Sequence, residues 1–294
     1  MTILVTGAGG QVGSALARAA GDLQVVALDR AALDITDAAA VRAAVVQHQA
    51  KLVINAAAYT AVDRAEQEAG QAFSINRDGP AVLARVCAEC GIPLFHLSTD
   101  YVFDGEKSTA YTEEDAISPV GVYARSKAEG EQVVRDALDR ALILRVSWVF
   151  GVQGNNFVKT MIRLARQRDT LRVVADQHGN PTSAESIARA LLLLARRYLN
   201  GDSMLWGTYH FSGSPSTTWY DFACRIMEVA HQRGLIARIP EMQRITTQEF
   251  PTPVKRPANS RLDCRKMEQV FGIAQDSWAA ELDWQLQQLQ QQGF

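Results

Sequence analysis

The sequence predicts an α/β fold built on a doubly wound parallel sheet, with a smaller C-terminal substrate-binding domain. Two observations carry this. Near-continuous apolar runs alternate with helix-period segments through the first half of the chain, and the first run leads at once into a glycine-rich turn, "GAGGQVG". Apolar runs without polar alternation are strands buried on both faces. A βαβαβ order then places helices on both faces of the sheet.

In chain order the predicted strands are "TILVTG", "QVVALD", "KLVINAAA", "PLFHLSTDYVF" and "ALILRVSWVFG". Between them "QVGSALARAA", "AAAVRAAVVQHQ", "AFSINRDGPAVLARVCAEC" and "ARSKAEGEQVVRDAL" are helical in pattern. Together they make a Rossmann-like dinucleotide-binding domain over residues 1–150. After Gly151 polar and proline-containing stretches separate shorter helices, so residues 151–294 are read as the substrate domain. Within it "GTYHFSG", near 205–213, has the texture of a strand returning to the main sheet. The tail "DWQLQQLQQQ" is read as a surface helix.

Composition narrows the function. A formal net charge of -2 leaves no basic excess for neutralising phosphates, which argues against nucleic acid. The first strand begins almost at Met1 and no apolar run reaches spanning length, so a cytoplasmic protein without a membrane anchor is expected. Four cysteines do not make a disulfide framework, and the lone C-x-x-C of Cys87 and Cys90 reads as core thiols. The five histidines lack metal-ligand spacing, so no metal site is expected.

The glycines step as G-x-x-G-x-x-G, because the last position of the commoner G-x-G-x-x-G falls on Val12. Gly7 suits the sharp turn after the strand, Gly10 a close approach of backbone to a diphosphate, and Gly13 close packing of the next helix. The helix start offers free N–H donors to the phosphates. The second strand ends in "ALDR", placing Asp29 where a carboxylate accepts hydrogen bonds from ribose hydroxyls. Arg30 beside it suits a ribose phosphate, so the cofactor is NADH or NADPH with the preference open.

Catalytic chemistry enters with "VYARSK". Tyr123 and Lys127 stand four apart on one helical face, about 6 Å along the axis. A phenol titrating at about 10 is a poor neutral-pH acid, and a neighbouring ammonium lowers that value. "HLSTD" puts Thr99 and Asp100 at the carboxyl end of the fourth strand, where open α/β sheets bind ligands.

These motifs, with "NAAAYTAVDRAE", "RVSWVFG", "GNNFVKTM", "DQHGNPT" and "PTPVKRPANSRLD", make a chain that resembles the extended short-chain dehydrogenase/reductase superfamily over nearly its whole length. The resemblance implies hydride transfer from NAD(P)H to C4 of a 4-keto-6-deoxy sugar nucleotide, in the synthesis of cell-surface polysaccharide. It implies that Tyr123 donates the proton, Lys127 orients the nicotinamide ribose and tunes the phenol, and Thr99 assists. It also implies that Gln11, Val12, Asp29, Asp34, Ile35, Ala58, Tyr59 and Thr60 line the cofactor. Thr99, Asp100, Tyr123, Trp148 and Asn156 are implied to meet the substrate, and Arg256 and Arg261 to clamp its diphosphate. Without the resemblance, "FPTPVKRPANSRLD" reads as a proline-stiffened loop. Some members dimerise around Mg²⁺ held by a glutamate after the glycine turn, but "SALARAA" carries no carboxylate. A monomer or weak homodimer is therefore expected. An epimerase or dehydratase on the same scaffold, or a non-catalytic binding subunit, are the alternatives.

Overall fold

The computed structural model describes residues Met1–Phe294. Five strands come first in order, with the glycine-rich turn directly after the first: β1 (Thr2–Thr6), β2 (Gln24–Leu28), β3 (Ala50–Asn55), β4 (Leu94–Thr99) and β5 (Ala141–Val146). The strands then shorten to β6 (Val149–Phe150), β7 (Thr170–Val174), β8 (His178–Gly179) and β9 (Thr182–Ser183). Next come β10 (Gly207–His210), β11 (Thr217–Thr218) and β12 (Glu241–Ile245). The main sheet has the order β10-β5-β4-β3-β1-β2, and every neighbouring pair is parallel. The strand order reverses at β1, which lies between β2 and β3, so the carboxyl ends of these strands open the crevice such sheets use for ligands.

The helices are α1 (Gln11–Arg18), α2 (Ala38–Gln47), α3 (Val62–Ala65), α4 (Ala69–Phe73), α5 (Gly79–Cys90), α6 (Gly121–Ala137), α7 (Phe157–Ala165), α8 (Ala184–Leu199), α9 (Trp219–Gln232), α10 (Arg265–Phe271) and α11 (Trp278–Gln291). On one face of the sheet Leu16, Leu191, Tyr209 and Phe271 join α1, α8, β10 and α10 in one apolar cluster. On the other, Val41, Leu83 and Val134 seat α2, α5 and α6. A second lobe has its own core around Phe150, Ile162, Phe222 and Leu286. Each such side chain, fully buried, contributes roughly 1.5–3 kcal/mol. No helix is long and apolar enough to cross a membrane.

Several sequence expectations change at this level. The run "PLFHLSTDYVF" is not one strand: β4 stops at Thr99, whose hydroxyl accepts a bond from the Tyr101 N–H and starts a tight turn over Asp100–Val102. "ALILRVSWVFG" breaks at Trp148, whose φ of 44° no strand residue adopts, and β6 pairs with β9 instead. β10 returns to the main sheet as the texture of "GTYHFSG" predicts, but the lobes interleave further, because α8 and α10 also lie beyond residue 150 yet pack on that sheet. The glutamine-rich tail is more than a surface helix. Its Leu282, Gln285 and Leu286 are completely buried, and Gln285 donates to the Gly151 carbonyl at 2.6 Å. Cys87 is buried and all four cysteines are free.

Candidate active site

The glycine turn closes tightly against the sheet. Gly7 has φ 75°, and a Cβ there would stand 2.5 Å from the Ala57 backbone nitrogen. Gly10 caps α1 without a side chain, and the first turn of that helix carries no acidic residue. A diphosphate placed there would meet bare backbone N–H groups at a positive helix end. At the end of β2, Asp29 and Arg30 are both exposed, and Asp29 Oδ1 accepts from the Ala32 N–H at 3.0 Å. This chemistry fits a nicotinamide dinucleotide: a cradle without Cβ atoms for the phosphates, and a carboxylate and a cation for the ribose.

Other residues expected along the cofactor act less directly. Val12 is buried in the core beside α8, so only its backbone faces the turn. Ile35 is buried as well and fills the space that the missing Cβ of Gly79 leaves. Asp34 is taken up locally, accepting from the N–H and hydroxyl of Thr36 at 2.9 and 2.7 Å. Gln11 Oε1 accepts from Asn156 Nδ2 at 2.9 Å, linking the glycine turn to the second lobe. Ala58, Tyr59 and Thr60 follow β3 in a loop pinned by the buried Asn76. The Tyr59 N–H donates to Asn76 Oδ1 at 2.8 Å, and Asn76 Nδ2 donates to the Tyr59 carbonyl and to Ser126 Oγ on α6, both at 3.0 Å.

Thr99, Tyr123 and Lys127 converge where β4 ends and α6 begins. Thr99 Oγ1 donates to Asp100 Oδ1 at 2.9 Å, and the same side chain is near enough to the Tyr123 phenol to favour its ionised form. Lys127 Nζ donates to the Leu97 carbonyl at 2.7 Å and is 2% exposed. Burial brings the ammonium down to about 8, with Glu131 acting against it. In the protein without ligands the phenol is not lowered. Burial pushes it above its ordinary value, Asp100 and Tyr101 push the same way, and only Thr99 opposes. The Tyr101 ring meets the Tyr123 ring edge-on, with centroids 5.6 Å apart. Burial also raises Asp100 to about 6, and its Oδ2 is buried without a partner.

The substrate-side residues divide. Trp148 lies flat on Trp219, with ring centroids 3.5 Å apart and planes 8° apart. Its left-handed backbone is held by a bond from the Thr182 N–H to the Trp148 carbonyl at 3.2 Å. Asn156 is a correction. Its Oδ1 caps α7 through the Lys159 N–H, and its Nδ2 is bound by Gly151 and Gln11, so the side chain is an internal bridge and not a free substrate contact. Arg256 reaches across to α3, where Nη2 donates to Asp63 Oδ2 at 2.6 Å, while Nη1 is buried without a partner. Arg261 instead bonds the Ser108 carbonyl and donates from Nε to Asn259 Oδ1 at 2.8 Å. It lines a cavity of about 360 Å³ together with Asp104, Lys107, Asp176, His178 and Lys255. The two guanidiniums thus have separate partners and do not form the joint clamp expected from sequence.

Sequence reasoning missed five contributing residues. Glu66 Oε1 accepts from the Val122 N–H at 2.6 Å, capping the helix one residue before Tyr123. Asp63 holds Arg256, and Trp219 backs Trp148. Glu131 and Arg145 form a buried ion pair behind Lys127. Only the last had a signal: an arginine inside the apolar strand "ALILRV" demands an anion. No cluster of three or more His, Cys, Asp or Glu side chains that could hold a metal ion is present.

A family model described as "RmlD substrate binding domain" matches residues 1–291. A dTDP-4-dehydrorhamnose reductase of Aggregatibacter actinomycetemcomitans is 46% identical over 283 residues, covering 95% of this chain and 96% of its own. A solved dTDP-4-dehydrorhamnose reductase from Clostridium acetobutylicum superposes with a TM-score of 0.91 at 37% identity, over 99% of this chain and 100% of that one. Another, from Bacillus anthracis in complex with NADP, gives 0.87 at 34% identity, over 98% and 99%.

Proposed function

The chain belongs to the dTDP-4-dehydrorhamnose reductase family, and on that premise we propose that it reduces the C4 keto group of dTDP-4-dehydro-L-rhamnose to give dTDP-L-rhamnose, using NADPH or NADH. The observation that carries this reading is the convergence of a hydroxyl, a phenol and an ammonium at the carboxyl end of β4, beside a glycine cradle that fits the cofactor. Bound in that cradle, the reduced nicotinamide supplies the hydride.

The chain's own residues handle the proton and the charge. Tyr123 gives its proton to the carbonyl oxygen as negative charge develops there. Burial keeps the phenol protonated at neutral pH, so the proton is in place when substrate arrives. Thr99 directs the carbonyl oxygen toward that phenol, and the Lys127 charge stabilises the phenolate left behind. Asp29 receives the adenosine ribose, and Arg256 meets the anionic part of the sugar nucleotide. The reduced cofactor and the nucleotide sugar are both cytoplasmic metabolites, so the protein works in the cytoplasm, as a monomer or weak homodimer.

The test is the stoichiometry of turnover. Incubation with dTDP-4-dehydro-L-rhamnose consumes one reduced cofactor for each dTDP-L-rhamnose formed. A changed sugar without net consumption would point to an epimerase or dehydratase, and binding without either change to a non-catalytic subunit. Both outcomes overturn the reading.

A further inference from the structure

Glu131 is completely buried, and Arg145 is 3% exposed. The carboxylate is bound four times: by Arg145 Nε at 2.8 Å and Nη2 at 2.7 Å, by Ser98 Oγ at 2.6 Å, and by Arg135 Nη1 at 3.1 Å. Ser98 stands opposite Arg145 in the β4–β5 register and directly precedes Thr99. The arginine is held in turn, with Nη1 facing His210 Nε2 at 3.4 Å and its guanidinium 5.1 Å from the Phe103 ring centre.

A buried ion pair is a weak source of stability, since desolvation cancels most of the attraction and an apolar pair of similar volume packs as well. Its position suggests a different use. Glu131 lies one turn after Lys127 on α6, about 6 Å away. Other groups do not supply a counter-charge to that ammonium. On its own helix the neutral phenol of Tyr123 stands one turn before it, and from β4 it meets the Leu97 carbonyl and His96, which burial keeps uncharged. The Asp100 carboxyl lies with Thr99 and Tyr123, the Arg145 cation is engaged by Glu131, and Arg77, on the turn packed against α6, is paired with Asp78 and Glu129.

We propose that Glu131 is a positioning residue whose buried carboxylate, aimed by Arg145 and Ser98, holds Lys127 in its charged form beside Tyr123. The proposal rests on the reductase reading above for the need to keep that charge. Burial alone drives Lys127 toward neutrality, and Glu131 is the opposing group. Reduction then fails on the alkaline side, as Lys127 loses its proton.

The test separates charge from shape. Glu131→Gln keeps the shape and loses the charge, whereas Glu131→Asp keeps the charge and shortens the reach. Two readouts are taken between about pH 6 and pH 10: kcat/KM with NADPH and dTDP-4-dehydro-L-rhamnose, and the titration of Lys127 in ¹³C-lysine-labelled protein without ligands, assigned with Lys127→Met. Glu131→Gln is expected to move both the alkaline limb and the lysine titration down by about one pH unit, while Glu131→Asp leaves them within about 0.3 unit. A Gln variant that titrates like wild type, or an Asp variant that moves as far, overturns the proposal. Should Glu131→Gln fail to fold, the double variant Glu131→Gln, Arg145→Gln removes both members of the buried ion pair and is expected to move the titration down by a smaller step. An unmoved value there is equally fatal. The lysine titration needs no substrate, so it decides the role of Glu131 even where the reductase reading fails.

Discussion

Trp148 offers the sharpest test of how the site meets its sugar. The indole is half-buried at the carboxyl end of β5, stacked on Trp219, and carried by a backbone with φ 44°. A left-handed conformation costs a non-glycine residue roughly 1–2 kcal/mol, and such strain collects where a side chain must be presented to a ligand. In Trp148→Ala the stack is lost, worth about 0.5–1.5 kcal/mol, along with the buried half of the ring. The sum is about 2 kcal/mol, below the roughly 3–5 kcal/mol of a tryptophan removed from a closed core. Trp148→Gly loses the same contacts but also the backbone strain, so it is expected to be at least as stable as Trp148→Ala. Both variants should raise KM for the sugar nucleotide about tenfold, with cofactor affinity unchanged, since a lost apolar wall costs on the order of 1.4 kcal/mol. Thermal melts and a substrate titration on the same preparations decide it. A glycine variant clearly less stable than the alanine variant refutes the strain argument, and an unaltered KM beside a large drop in melting temperature makes Trp148 a core residue.

Tyr123→Phe is expected to lower kcat by about a hundredfold or more while sugar-nucleotide affinity holds, measured by steady-state kinetics and calorimetric titration. Equal loss of binding would make the phenol a positioning group. Asp29→Ala is expected to shift the ratio of kcat/KM toward NADPH over NADH, because the carboxylate repels a ribose phosphate; an unchanged ratio places Asp29 away from the ribose. Arg256→Met should raise KM for the sugar nucleotide with little effect on cofactor affinity, and unaltered kinetics would leave Arg256 as a tie to Asp63. His210 is buried neutral, with Nδ1–H donating to the Tyr111 carbonyl, and its value falls from 6.5 to about 3, by burial first and Arg145 second. Between those values the unfolded chain binds the proton and the folded chain does not, so stability is lost as pH falls from 6.5 toward 3. The slope is at most about 1.4 kcal/mol per pH unit. Asp100, raised to about 6, acts with the opposite sign over part of that window but equally in wild type and His210→Asn, so the difference between their denaturant unfolding curves isolates His210. Parallel pH dependences would show that His210 is not the group responsible.

The sheet was legible because its signals are contiguous. Five apolar runs and the glycine turn each lie within a few residues, and strand burial on both faces leaves an unbroken apolar pattern. Strand ends were harder to read. The apolar content of "DYVF" and "WVF" continues past β4 and β5, while the stop is set by a side-chain bond of Thr99 in one case and by the backbone of Trp148 in the other. The return of β10 to the main sheet could be read from the texture of "GTYHFSG", but the packing of α8 and α10 on that sheet was hidden, since it depends on which face each later helix covers and not on its own pattern.

The site divides along the same line. Tyr123 and Lys127 were readable as a pair because four helical residues fix their geometry. What a polar side chain bonds to depends on the folded chain. Asp34 and Asn156 have the chemistry of ligand contacts, yet one closes a local turn and the other joins the glycine turn to α7. Asp63 and Arg256 lie 193 residues apart and still meet at 2.6 Å, close to the tyrosine pair Tyr101 and Tyr123. Distant pairs leave a sequence trace only when one member is out of place in its own element. Arg145 meets that condition, as a charge within a strand buried at every position, whereas Asp63 and Arg256 occupy polar segments where a charge asks for no partner.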